Sequence, residues 1–199
     1  MKKFELTAES KINIFGKKLF RIKALISFGD VEEGETGGWI EKEENLEQSS
    51  GDAWVYGDAE VYDNARVSGD ARVYGDAEVY GNARVYGDAW VCGDAWVYGD
   101  AEVYGNARVC GNARVCGNAE VYGNADYTTI HGFGTQFRTT TFFQCEDKQI
   151  RVSCGCFLGT IPEFREQVKN TREGKIAEEY LMIADLMEKH FVKEKESGE

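Results

Sequence analysis

The sequence predicts an all-β solenoid of triangular 18-residue coils, flanked by an N-terminal β cap and a small C-terminal α+β module. An alanine recurs every six residues from Ala53 to Ala125, and a valine follows two positions later in every copy but the last. Residues two apart on a strand point to the same side, so both predict an inward-facing edge. A Gly-Asp or Gly-Asn pair ends nearly every copy, and these residues tolerate positive φ at a corner. Six residues therefore make one strand and one corner, and three copies close a coil.

The repeat boundaries predict three segments: an N-terminal β cap at 1–50, a solenoid of four coils at 51–127, and a C-terminal module at 128–199. Within the cap, apolar residues alternate on both sides of Gly16, which predicts a hairpin. A solenoid end exposes unpaired strand edges, so we expect the cap to cover the first coil.

The C-terminal module combines strand and helix signals. Residues 139–143 and 150–154 are rich in β-branched and aromatic residues and predict a hairpin. Thr160 followed by Glu163 is a capping-box start for a short helix, and apolar residues at helical spacing predict a second helix at about 175–191. We expect residues 194–199 to fray.

Two features of the sequence, one in the repeat and one before it, carry a family resemblance. The hexads Val61-Tyr-Asp-Asn-Ala-Arg66 and Val79-Tyr-Gly-Asn-Ala-Arg84 resemble the left-handed parallel β-helix of hexapeptide-repeat proteins, although tyrosine replaces the small residue that usually follows the aliphatic one. The Gly37-Gly-Trp-Ile40 stretch resembles the start of YdcK-type proteins and of phage and prophage proteins with Gly-Asn/Asp-Ala repeats. The resemblance implies a left-handed coil and a phage-type accessory role.

The net charge limits the classes of partner, and the cysteine content indicates the cellular compartment. With 23 Lys and Arg against 35 Asp and Glu, the net charge is -12, which argues against long nucleic acids and anionic membranes. No apolar run is long enough to span a bilayer, and we recognise no signal peptide. Six cysteines in this context predict reduced thiols and a cytoplasmic location, or the host cytoplasm for a phage protein.

Enzymatic activity is the alternative to a binding role. Many hexapeptide-repeat proteins are acyltransferases that use acetyl-CoA or a related donor and a histidine base, and the resemblance makes His131 the only candidate base here. The other histidine, His190, is expected to interact with a helix C-terminus. Cys145, Cys154 and Cys156 could be weighed as zinc ligands, but a fourth ligand is not evident. We therefore expect no catalytic residue, cofactor or metal.

Every eighteenth residue stacks on one side of the solenoid, which gives three faces. The first face places Trp54, Arg72, Trp90 and Arg108 beside Tyr56 and Tyr74. Aromatic rings and guanidinium groups in such rows stack on a base and neutralise a phosphate. The row therefore favours a small nucleotide-like ligand. The phage-type resemblance implies that the protein sequesters such a signalling molecule or blocks a host protein.

The third face predicts self-association. Its charges run Arg66, Arg84, Glu102 and Glu120, beside Tyr86, Tyr104 and Tyr122. If a second copy lies antiparallel against this face about a two-fold axis, each arginine meets a glutamate of the other copy, as an isologous dimer requires. From the sequence we expect a non-catalytic, self-associating binding protein.

Overall fold

The computed structural model describes residues 2–191 of the 199-residue chain, and the predicted fraying of residues 194–199 lies outside them. The chain forms two compact units, residues 1–124 and residues 125–199. The first unit holds both the N-terminal strands and the coils.

Twelve two-residue strands in the first unit form a parallel β-solenoid, and each strand consists of the valine of one hexad and the residue before it. They are β4 (Trp54–Val55), β5 (Glu60–Val61), β6 (Arg66–Val67), β7 (Arg72–Val73), β8 (Glu78–Val79), β9 (Arg84–Val85), β10 (Trp90–Val91), β11 (Trp96–Val97), β12 (Glu102–Val103), β13 (Arg108–Val109), β14 (Arg114–Val115) and β15 (Glu120–Val121). Every third strand pairs in parallel, which gives three sheets: β4-β7-β10-β13 on the first face, β5-β8-β11-β14 on the second and β6-β9-β12-β15 on the third. The predicted register of 18 residues per coil is confirmed.

The N-terminal strands extend the solenoid rather than merely covering its end. Strands β1 (Phe4–Ile12) and β2 (Lys18–Ala24) form the predicted antiparallel hairpin, and β2 also pairs with β3 (Thr36–Ile40). Strand β3 then runs parallel to β5 and continues the sheet of the second face. Leu46 makes a parallel bridge to Val67 on the third face. A partial coil therefore precedes the four regular ones.

The inside of the solenoid follows the six-residue pattern. The alanines from Ala53 to Ala119 and the valines from Val55 to Val121 are at most 1% exposed, as predicted. Corners are equally tight: Gly69 has φ +67, and a Cβ added there would lie 2.9 Å from the backbone nitrogen of Gly87 in the next coil. Only glycine meets both demands without strain.

The outside is less exposed than predicted. Trp54, Tyr62, Cys92 and Cys116 occupy positions that the pattern predicts to point outward, yet each is at most 8% exposed. Residues of the N-terminal segment account for Trp54, whose ring contacts those of Phe4 and Phe28 with centroids 6.1 and 5.4 Å apart.

The second unit is an antiparallel sheet with two helices. The sheet order is β16 (Tyr127–Phe133), β17 (Arg138–Gln144), β18 (Ile150–Cys154) and β19 (Phe157–Thr160). The predicted hairpin is its central pair, while β16 and β19 were not predicted. Helix α1 (Ile161–Thr171) begins at the predicted capping box, and α2 (Gly174–His190) follows. Among the described residues, no helix combines the length and apolarity needed to cross a membrane.

Candidate functional site

The arginine side chains and aromatic rings of the first face contact one another. Arg72 and Arg108 lie over the ring of Trp90, with guanidinium carbons 5.6 and 4.4 Å from its centroid. Arg72 Nη2 also lies 3.2 Å from a carboxylate oxygen of Asp30, and the hydroxyl of Tyr56 donates to the same oxygen at 3.0 Å. Burial and this carboxylate raise the pKa of Tyr56. Side chains from successive coils and the N-terminal segment are thus joined here into one network.

Trp54 does not present an exposed ring on this face. Its side chain is fully buried, and a Cβ on Gly37 would lie 2.6 Å from the ring. The half-buried rings of the predicted row are Tyr56, Tyr74 and Trp90, and Tyr74 contacts Trp90 edge-on with centroids 5.9 Å apart. Trp54, predicted as a ligand-binding residue, is thus buried against Phe4 and Phe28 in this structure.

The prediction that all six cysteines are reduced is also wrong. Cys92 and Cys110 follow Tyr74 along the first face and are joined by a disulfide, with their Cα atoms 4.5 Å apart. Stacking of successive coils brings the two Cα atoms within the range of a disulfide. The remaining cysteines, Cys116, Cys145, Cys154 and Cys156, are not joined in disulfides.

The second face is covered in part by the N-terminal hairpin. Phe15, at the hairpin turn, lies 6.3, 5.9 and 6.3 Å from the ring centroids of Tyr62, Tyr80 and Trp96. Lys11 on β1 forms a 2.8 Å ion pair with Glu60. The sequence pattern did not predict this contact, because the hairpin and the coils it touches are far apart in the chain.

The third face has the predicted order of charges. Arg66 lies opposite Arg84, Arg84 opposite Glu102, and Glu102 opposite Glu120. Like charges are therefore neighbours at both ends of the face. In the middle, Arg84 Nη1 lies 3.5 Å from a carboxylate oxygen of Glu102 in the same chain.

Tyrosines form a second row on this face. Tyr86 and Tyr104 are stacked, with centroids 5.0 Å apart and planes 8° apart, and Tyr122 contacts Tyr104 edge-on at 5.3 Å. The hydroxyl of Tyr86 donates to Glu102 at 2.9 Å, and burial together with this bond raises the pKa of Tyr86 to about 12. Tyr122 is 61% exposed. The predicted residues of the third face are thus brought together in one surface.

His131 lies in the second unit, on β16. Its side chain is exposed, and Nδ1 lies 3.2 Å from the hydroxyl of Thr139. Within residues 2–191 no carboxylate bonds to His131, whereas an orienting partner is typical of a histidine base. Across the same residues, no group of three or more His, Cys, Asp or Glu side chains is placed to hold a metal ion.

The comparison with known families matches the solenoid. A family model described as the YdcK beta solenoid repeat matches residues 59–75, 65–78, 77–93 and 101–117. These segments lie within the twelve-strand solenoid, which therefore carries repeats of this type. A comparison with curated proteins gives no match.

Proposed function

We propose that this chain, which carries YdcK-type β-solenoid repeats, is a non-catalytic binding protein that associates with a second copy of itself through the third face. The observation that carries the proposal is the order of charges along that face, Arg66, Arg84, Glu102 and Glu120, in coil-by-coil register. An antiparallel copy about a two-fold axis would oppose Arg66 to Glu120 of the other chain. The inner residues Arg84 and Glu102 would be opposed in the same way.

The order of charges is unfavourable within one chain. Two arginines and two glutamates are neighbours one coil apart, about 4.8 Å in a β-sheet, and like charges at that spacing repel. A second copy would place an opposite charge against each of them. Exposed ion pairs contribute about 0.2–1 kcal/mol each, so they would set the register of the dimer more than its strength.

The apolar contact area of the proposed dimer would come from the tyrosine row of the third face. Tyr122 is the most exposed aromatic side chain of the coils, and Tyr86 and Tyr104 continue its row. Tyrosine is enriched at interfaces, because it combines a large ring with a polar hydroxyl. The first and second faces suit this role less, since contacts with the N-terminal segment already use many of their side chains.

The position of each charge along the face decides which residues matter most. The inner residues Arg84 and Glu102 face each other within one chain, where they form an ion pair. The outer residues, Arg66 and Glu120, lie three coils apart, and each has a residue of its own charge as its neighbour in the sheet. In the proposed dimer an opposite charge from the second copy would lie against each outer residue, and we expect these residues to help set its register.

Sedimentation velocity over a range of concentrations tests the proposal. The wild-type chain should sediment as a dimer, and Tyr122→Ser should shift it towards monomer. Phe137→Ser is the matched control, because Phe137 is a similarly exposed ring of the second unit, at 65%. A monomeric wild type, or equal effects of the two substitutions, would exclude the third face as the interface.

A further inference from the structure

A small cavity of the second unit holds two thiols and two guanidinium groups. It has a volume of about 190 Å³ and lies between the turn that joins β18 to β19 and the C-terminal end of α1. Cys154, Cys156, Arg138, Arg172 and Tyr180 contribute its polar groups. Pockets for drug-sized ligands are about 300–1,000 Å³, so this cavity suits a smaller molecule or one arm of a larger one.

The two thiols flank a tight turn. Cys154 pairs with Phe157 across the hairpin, so Gly155 and Cys156 form a two-residue loop, and Gly155 has the positive φ, +62°, that such turns require. Cys156 is exposed, and Cys154 is half-buried beside the hydroxyl of Thr140, 3.1 Å from its sulfur. One thiol is thus accessible to solvent, and the second, two residues earlier in the chain, is half-buried.

The guanidinium groups lie against the same turn. Arg138 Nη1 is 2.5 Å from the position that a Cβ on Gly155 would take, so glycine leaves room for the guanidinium at the thiols. Arg172 donates to the backbone carbonyl of Thr171 at 2.9 Å. Over residues 2–191, neither arginine forms a salt bridge with a carboxylate. Two cations without a carboxylate partner among residues 2–191, in one small cavity, favour an anionic ligand.

Tyr180 also lines the cavity and is itself buried. Its hydroxyl donates to the backbone carbonyl of Phe133 at 3.1 Å, and its pKa is raised, first by burial and then by the neighbouring Cys154. Phe157 and Phe164 supply apolar walls. The cavity lining therefore combines apolar rings, two cations and two thiols.

We propose that Cys154 and Cys156 are a redox-active dithiol that reacts with small disulfides carrying carboxylate groups. The thiolate of Cys156 attacks one sulfur of the bound disulfide, which forms a mixed disulfide and releases the first thiol of the reagent. The thiol of Cys154 then loses its proton and attacks the Cys156 sulfur, which releases the second reagent thiol and leaves a Cys154–Cys156 disulfide. Two electrons pass from the protein to the reagent, and Arg138 and Arg172 bind its carboxylates.

Peptide mapping after exposure to glutathione disulfide tests this site. Trypsin cleaves after Arg151 and Arg165, so the peptide 152–165 contains Cys154 and Cys156 and no other cysteine. The reduced full-length protein is treated with glutathione disulfide or with the uncharged 2-hydroxyethyl disulfide, quenched by alkylation and digested. We expect an internal disulfide in this peptide, formed faster with glutathione disulfide, and we expect Cys154→Ser to trap glutathione on Cys156.

Charge variants separate recognition from general thiol reactivity. Arg138→Met, or Arg172→Met if the first variant does not fold, should slow the reaction with glutathione disulfide about tenfold, because a charged hydrogen bond is lost. The rate with the uncharged disulfide should not change. Lys169→Met removes an exposed cation of α1 outside the cavity and should alter neither rate. An unoxidised peptide, or equal effects of Arg138→Met and Lys169→Met, would overturn the proposal and leave the third-face interface untouched.

Discussion

Cys92 and Cys110 occupy the same position of successive coils and are joined by a disulfide. The bond ties two neighbouring strands of the first face together, at a sequence separation of 18 residues. A cross-link of this span lowers the entropy of the unfolded chain. The disulfide therefore stabilises the coils whose strands it connects.

Replacing both cysteines by serine should lower the free energy of unfolding by up to about 3 kcal/mol, the loop-closure value for a ring of this size. Chemical denaturation with and without reductant measures the effect. Reductant should lower the unfolding midpoint of the wild type and leave that of the Cys92→Ser/Cys110→Ser variant unchanged. Equal responses of the two proteins would show that the bond contributes nothing to stability.

Val97→Asp should destabilise the solenoid by more than about 4 kcal/mol. Val97 is fully buried, and the new carboxylate would be an unpaired charge in a narrow apolar core. Asn106→Asp places the same group at an exposed corner and should change stability by less than about 0.5 kcal/mol. A normal unfolding midpoint for Val97→Asp would contradict the assignment of inside and outside.

The stacked tyrosines predict a loss of stability at high pH. Burial is the main cause that raises the pKa values of Tyr80 and Tyr86 to about 12, from an ordinary value near 10. Between these values the unfolded chain has released protons that the folded chain still binds, so stability falls as pH rises from about 10 to 12. Below about pH 10 these tyrosines are protonated in both states, and their contribution to the free energy of unfolding is fully present. Phenolate absorbance and circular dichroism should therefore change together in this range, and full phenolate formation in a folded chain would contradict the assignment.

The six-residue pattern predicts the solenoid in detail because its causes are local. Alternating side chains, turn-forming glycines and small corner residues each act within one hexad, and the 18-residue register follows from closing three of them. The capping box at Thr160 was predictable for the same reason. The N-terminal end of the solenoid depends instead on contacts between residues far apart in the sequence. Trp54 is buried by Phe4 and Phe28, and no local signal links these residues.

The candidate site divides in the same way. The order of Arg66, Arg84, Glu102 and Glu120 could be predicted, because stacking follows from the period alone. The intrachain bond from Tyr86 to Glu102 could not, since it depends on side-chain conformations across two coils. The thiol cavity joins β17, the β18–β19 turn and both helices, and strand β19 itself was not predicted.

Acyl transfer remains the competing activity and has a direct test. Because the described residues give His131 no carboxylate partner, we expect the protein to transfer no acyl group from acetyl-CoA. Hydrolysis or transfer by the wild type, lost in His131→Ala but kept in His190→Ala, would establish the enzyme instead.

Charge reversal at the outer pair of the third face isolates the proposed dimer from the fold. Within one chain, Arg66→Glu places a glutamate beside Arg84, and Glu120→Arg places an arginine beside Glu102. In an antiparallel dimer, however, the first variant opposes its introduced glutamate to Glu120 of the other copy, and the second opposes its introduced arginine to Arg66 of the other copy. Each variant alone should associate about tenfold more weakly, as expected for two reversed ion pairs.

Mixing the two variants is the most direct measurement of the central claim. In the mixed dimer both outer positions oppose a glutamate to an arginine, so native mass spectrometry of an equimolar mixture should show the heterodimer in excess over either homodimer. Sedimentation velocity should show that the mixture regains the association of the wild type. Statistical amounts of the three dimers, or a wild type that is monomeric throughout, would contradict self-association through the third face.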